Sequence, residues 1–277
     1  MTTTGAGLRS FSTTWGRRMM TRWLLALAAL FMLALPSAAL ADTGFLDRTI
    51  TVDGKSYAYQ VYVPRKPIAG AKPIILALHG AGERGSDGLL QTEVGLAGAI
   101  RRHPERWPAI VVFPQAPKDQ LWMGVPAKVA MAALAQSERE FRTDPNRVYL
   151  AGLSMGGNGS WRLAYENPDR WAAVVPVCAF AGSFRGLPPI AAGPDPYAAL
   201  AGKISKLPIW IVHGDADVVV PVDESRKMAA ALKAAGAQVT YKELAGVNHN
   251  SWDPGFADEA LPQWLFQQKR IGGSKAR

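Results

Sequence analysis

Hydrophobic positions fall into short runs separated by longer stretches of helical spacing. Residues 48–52 and 57–63 alternate on either side of Asp53-Gly54, the pattern of a β-hairpin closed by a two-residue turn. Six further runs rich in Val, Ile, Leu and Ala follow at 74–78, 109–113, 147–151, 172–177, 208–212 and 238–244. Helical spacing fills the gaps, notably at 127–141, 156–166, 223–235 and 257–268. In the first of these, Ala127, Ala130, Met131 and Leu134 sit at i, i+3, i+4 and i+7, and Phe141 extends the same face. Apolar strands alternating with helices predict a mostly parallel sheet covered by helices on both faces. With no long linker and no internal repeat, residues 42–277 read as one α/β domain with an N-terminal β-hairpin.

The first 41 residues follow a different pattern. Arg9, Arg17, Arg18 and Arg22 precede the apolar run 23–35, and Pro36-Ser37-Ala38-Ala39-Leu40-Ala41 closes it. A basic segment, a short apolar segment and an Ala-x-Ala site are the parts of a secretory signal peptide, predicting cleavage after Ala41 and a secreted or periplasmic product. The run is shorter than the ~20 apolar residues needed to span a bilayer, so no stable membrane insertion is expected after cleavage. Arg17-Arg18 fits an ordinary signal, and also a twin-arginine signal in which Met20 replaces the usual Phe. No cysteine at the cleavage site indicates a lipoprotein.

Composition narrows the field. Among 277 residues, 48% are hydrophobic and 19% charged, which supports a sizeable core and excludes global disorder. The formal charge of +9 would suggest a polyanion partner, but four of the arginines lie in the leader and the remaining excess is scattered without interleaved aromatics. No nucleic-acid partner is expected. A single cysteine, Cys178, excludes an intramolecular disulfide framework and any Cys-based zinc site.

The strongest chemical signal follows the run at 147–151. Gly152-Leu153-Ser154-Met155-Gly156 fits G-x-S-x-G, a strand-to-helix turn that holds a serine in a strained, exposed position above a sheet. A helix N-cap serine would satisfy the motif alone, but the strand before it and the helical spacing after it supply the context of a nucleophile. A serine nucleophile needs a base and an acid, which on such a fold follow in the order Ser, Asp or Glu, His. Of the histidines after Ser154, His213 closes a strand pattern and reads as structural. His249 lies in the polar loop Gly246-Val247-Asn248-His249-Asn250-Ser251-Trp252 and is the candidate base. His79, at another strand end, reads as structural, and His103 as a surface residue. The acid is Asp215 or Asp217: the first directly follows Gly214 and suits a turn cap, while the second lies farther out, within reach of His249.

Taken together, Leu78-His79-Gly80-Ala81-Gly82-Glu83-Arg84-Gly85, Pro114-Gln115-Ala116-Pro117, the segment from Asp144 to Gly157, and His213-Gly214-Asp215-Ala216-Asp217 resemble the secreted α/β-hydrolase esterases. They look most like the predicted-peptidase, phospholipase/carboxylesterase and depolymerase- or feruloyl-esterase-like group, over about residues 48–268. The resemblance implies an α/β-hydrolase fold and Asp217 as the acid, and the reading that follows is a serine esterase working through an acyl-enzyme without metal or organic cofactor. An oxyanion needs two backbone N–H donors: Met155, directly after the nucleophile, supplies one, and the resemblance places the other at Ala81, with Gly82 as the alternative. The chain departs from the related dienelactone hydrolases, whose nucleophile is Cys, by carrying Ser at 154. Trp122 and Trp252 are the candidate substrate-lining residues, and Trp161 reads as core. About 30 residues separate the runs ending at 177 and starting at 208, too few for a large cap, so an open cleft is expected.

Overall fold

The computed structural model describes residues 1–5 and 42–270. The signal-peptide features from Arg9 to Ala41 lie outside the described residues. Met1–Ala41 and Asp42–Arg277 separate as two units, and the second contains the elements below.

Strands β1 (Gly44–Val52) and β2 (Lys55–Val63) pair antiparallel through Asp53-Gly54. Both turn residues take positive φ, 50° and 77°, which a two-residue hairpin turn of matching twist demands. Strands β3 (Lys72–Leu78), β4 (Ile110–Pro114), β5 (Thr143–Leu153), β6 (Ala173–Val177), β7 (Ile209–Gly214) and β8 (Val239–Leu244) complete an eight-stranded sheet in the order β1-β2-β4-β3-β5-β6-β7-β8. From β4 onward in that order every pairing is parallel. The helices are α1 (Leu96–Arg102), α2 (Val125–Phe141), α3 (Met155–Glu166), α4 (Pro196–Ile204), α5 (Asp223–Ala234), α6 (Trp252–Ala257) and α7 (Ala260–Leu265).

Alternate strand residues separate into two cores. Ile74, Leu76, Val148, Leu150, Ile209 and Ile211 pack with α2, α3, α4 and α5 on one face. Ile75, Ala77, Tyr149, Ala151, Trp210 and Val212 pack with α1, α6 and α7 on the other. This is the period-2 pleat of a sheet buried on both sides, and each fully buried Ile, Leu or Val side chain contributes about 1.5–3 kcal/mol.

The expected final helix at 257–268 is a correction. The structure has α6 and α7 instead, broken at Asp258-Glu259. Pro262 explains the break, because its ring would collide with the carbonyl of residue 258 in a continuous helix. Asp258 stays extended and its carboxylate accepts the Ala260 N–H at 2.9 Å. Two helices that the hydrophobic spacing did not announce, α1 and α4, are also present. α4 lies in the segment between β6 and β7, but Leu200, Ala201 and Ile204 bury into the sheet-face core, so it is part of the layer and not a lid.

Candidate active site

The parallel strands all end on one side, and the loops leaving β3, β5, β7 and β8 meet there. Ser154 stands between β5 and α3 with φ 51° and ψ −113°, a backbone conformation that non-glycine residues seldom adopt. The flanking glycines are required by contact. A Cβ on Gly152 would lie 2.1 Å from the Gly156 carbonyl oxygen, and one on Gly156 would lie 2.1 Å from that of Leu78. The Ser154 N–H donates to Val177 O at 2.9 Å, fixing the turn to the end of β6. Gly156→Ala is therefore expected to lower stability by about 1–3 kcal/mol or more, since backbone must move to admit the methyl group. A melting curve superimposed on that of the unmodified protein would contradict this packing.

His249 reaches the serine from the loop after β8. That loop rests on the end of β7: Ala216 N–H donates to Val247 O at 3.0 Å, and Asp215 Oδ1 accepts the Gly246 N–H at 2.7 Å. His249 Nε2 lies 3.0 Å from Ser154 Oγ, and its Nδ1 lies 2.7 Å from Asp217 Oδ2. Asp217 Oδ1 accepts the N–H groups of Val219 and Val220 at 2.8 and 3.0 Å. Burial alone would raise the Asp217 pKa, but the donors from His249, Val220 and Val219 outweigh it and hold the carboxyl below its ordinary value. Asp217 is thus a charged, fully donor-saturated acceptor with no side-chain exposure, while His249 keeps 18% toward the cleft.

Met155 opens α3 and Ala81 opens the short 3-10 turn Ala81–Glu83. At such first positions the backbone N–H has no acceptor within its own helix. Both residues border the same cleft as Ser154 and His249, a space of ≈ 460 Å3. Trp252 lines it too, edge-on to the His249 ring at 5.4 Å between centroids.

Trp122 does not face the cleft, and its expected substrate-lining place is corrected. The indole is 1% exposed, donates Nε1–H to the His79 carbonyl at 3.0 Å, and packs against Gly159, where a Cβ would come within 2.6 Å of its own Cβ. Its neighbour Leu121 lines the cleft instead. Sequence reasoning also missed the wall of Phe180, Phe184 and Arg185. The two rings lie 4.4 Å apart, and the guanidinium sits 5.0 Å over Phe184. The Gly- and Pro-rich segment that carries the last two has no periodicity to reveal which side chains turn inward.

His79 and His213 are buried beside strand ends. His79 Nε2 accepts the Ala116 N–H at 2.9 Å, leaving Nδ1 to donate to Gly80 O at 2.6 Å, and burial lowers its pKa to about 4. His103 is partly exposed beside Glu105. Among the described residues, no cluster of three or more His, Cys, Asp or Glu side chains could hold a metal ion.

Residues 118–259, which include Ser154, Asp217 and His249, match the family model described as "Dienelactone hydrolase family". The chain belongs to the dienelactone hydrolase family. The solved structure of a thermostable esterase is 30% identical, with a TM-score of 0.69 over 82% of this chain and 63% of its own. "Putative esterase NocK" of Nocardia uniformis subsp. tsuyamanensis is 28% identical over 72% of this chain and 56% of that protein. A ferulic acid esterase structure, 19% identical with a TM-score of 0.60 over 81% of this chain and 97% of its own, shares the α/β-hydrolase fold. The chain therefore spans less than two thirds of the length of the first two of these relatives. The matched segment carries a serine at 154 and a buried cysteine at 178.

Proposed function

We propose that the protein is an exported serine hydrolase that cleaves carboxylic esters of short acyl or aryl groups through an acyl-enzyme on Ser154. The observation that carries this reading is the continuous line Ser154, His249, Asp217, with spacings of 3.0 and 2.7 Å. His249 Nε2 takes the Ser154 Oγ proton as Oγ bonds to the ester carbonyl carbon, while Asp217 holds Nδ1–H and stabilises the imidazolium. The carbonyl oxygen becomes an oxyanion facing the Met155 and Ala81 N–H groups, a type of interaction whose loss costs about 100- to 1000-fold in turnover. Collapse expels the alcohol, which takes the proton from His249. Water then adds to the acyl-enzyme by the same route and releases the acid and Ser154.

The substrate class follows from the space above the serine. The cleft has aromatic walls at Phe180, Phe184 and Trp252, and among the described residues no helical cap lies between β6 and β7 to enclose a long chain. Each methylene contributes about 0.8 kcal/mol of transition-state binding only if it leaves water. Aryl acetate and butyrate are expected to show higher kcat/KM than aryl palmitate, with a matched anilide far slower and chelators without effect. A steady rise along the acyl series would indicate an enclosed lipid site, and anilide turnover equal to that of the ester would indicate a peptidase.

Export rests on the leader pattern of residues 1–41, and one relative, from Arthroderma benhamiae, is named "Uncharacterized secreted protein". No helix among the described residues is long and apolar enough to cross a membrane.

A further inference from the structure

Behind Asp217 lies a second imidazole that the reaction scheme does not use. His213, on β7, is 0% exposed. Its Nε2 lies 3.1 Å from Asp217 Oδ2 and 3.0 Å from Val220 O, and its Nδ1 lies 2.7 Å from Ser225 Oγ in the first turn of α5. A backbone carbonyl can only accept, so Nε2 must carry a hydrogen. Burial lowers the His213 pKa despite the nearby carbonyl and carboxylate, which leaves a neutral ring whose Nδ1 accepts the Ser225 hydroxyl hydrogen. Nε2–H then points between Val220 O and Asp217 Oδ2, the same carboxylate oxygen that accepts His249 Nδ1–H.

We propose that His213 is a positioning residue for ester hydrolysis: by donating Nε2–H to Asp217 Oδ2, it orients that carboxylate and moderates its hold on the His249 proton. This inference rests on the Ser154, His249, Asp217 reading above. A second donor on the carboxylate stabilises its charge and so lowers its basicity toward the first donor. A neutral donor does this without placing a second positive charge beside the His249 imidazolium. Removing it makes Asp217 a stronger partner for imidazolium, so the free enzyme's base protonates at higher pH. The carboxylate also loses a contact that fixes its rotamer, so turnover falls.

The other polar groups around this pair are engaged elsewhere. Cys178, at the end of β6, stays a neutral thiol because burial raises its pKa. Glu243, opposite His213 on β8, is held by Arg226 at 2.7 Å and Tyr241 at 2.6 Å. Glu224, next to Ser225, accepts the Ala181 and Gly182 N–H groups and the Tyr197 hydroxyl. Asp215 is exposed and turned to Gly246 N–H.

The test is the pH profile of kcat/KM for His213→Leu and His213→Gln, with aryl acetate as substrate. Leucine removes the donor, whereas the glutamine amide can still donate to Asp217. For the leucine variant, the acid-limb midpoint is expected to rise by about half a pH unit or more, the scale of one lost hydrogen bond. Its kcat is expected to fall, and glutamine should restore the midpoint. A leucine variant with a lower Tm but an unmoved midpoint would make His213 a packing residue only. Nitrogen-15 spectra of the unmodified protein test the premise even if the leucine variant fails to fold. His213 should remain neutral and protonated on Nε2 throughout the neutral range, and an Nδ1–H form or a titrating ring would overturn the proposal. If Ser154→Ala abolishes hydrolysis and the midpoint stays put, only the role of His213 fails; if Ser154→Ala hydrolyses normally, the underlying reading fails.

Discussion

Ser154→Ala is expected to lower ester turnover by at least about 1000-fold, because members of a nucleophile-base-acid unit act together and removing one disables the rest. The protein should remain folded. Ser154 is partly exposed at the cleft, so losing its hydroxyl opens no core cavity, and alanine has the same Cβ to place in the strained turn. The turn itself is held by Gly152, Gly156 and the Val177 carbonyl, none of which depends on the hydroxyl. Stability is therefore expected to stay within about 0.5 kcal/mol of the original. Turnover of aryl acetate and the thermal melt are measured on the same preparation. A variant that keeps more than about a thousandth of the activity would assign the reaction to another group.

The parts of this molecule that local chemistry dictates were legible in the sequence. Asp53-Gly54 marks the hairpin, and the strand before and helix after Gly152-x-Ser154-x-Gly156 mark the elbow because only glycine fits its two close approaches. The meeting of Ser154, Asp217 and His249 could be anticipated from chain order and loop position, although nothing local to Asp217 distinguishes it from Asp215. The structure separates them: Oδ2 of Asp217 faces His249, while Oδ1 of Asp215 accepts Gly246 N–H. Helix α4 was missed, although Asp195-Pro196 marks its start: Asp195 caps the Tyr197 and Ala198 N–H groups and proline suits the first turn. Helix α1 has only seven residues, too few for periodicity to speak. Trp122 was misjudged because its position beyond a strand end does not reveal that its indole has a buried acceptor in His79 O. The contact of His213 with Asp217 spans only four residues, but it depends on how the turn after β7 folds back and on Ser225 of α5, which the spacing alone does not reveal.

Asp217→Asn is expected to cost about 10,000-fold in turnover, the scale seen when the base is left in the wrong tautomer. The orientation of the new amide is dictated by its surroundings. The Val219 and Val220 N–H groups both point at Oδ1, so the asparagine must place its carbonyl oxygen there and its NH2 at the position of Oδ2. The amide then donates to His249 Nδ1 where the carboxylate had accepted from it. His249 must carry its hydrogen on Nε2, which faces Ser154 Oγ at 3.0 Å, and it can no longer take the serine proton. The same NH2 also meets His213 Nε2–H, adding a donor-to-donor contact in a fully buried place. Asp215→Asn makes the matched control. Asp215 is exposed, and an amide oxygen can still accept the Gly246 N–H that anchors the base of the His249 loop. Its stability change should be within about 0.5 kcal/mol, with turnover close to the original. Measuring kcat and Tm for both variants decides the assignment: equal losses of activity, or a larger loss for Asp215→Asn, would transfer the role of the acid away from Asp217.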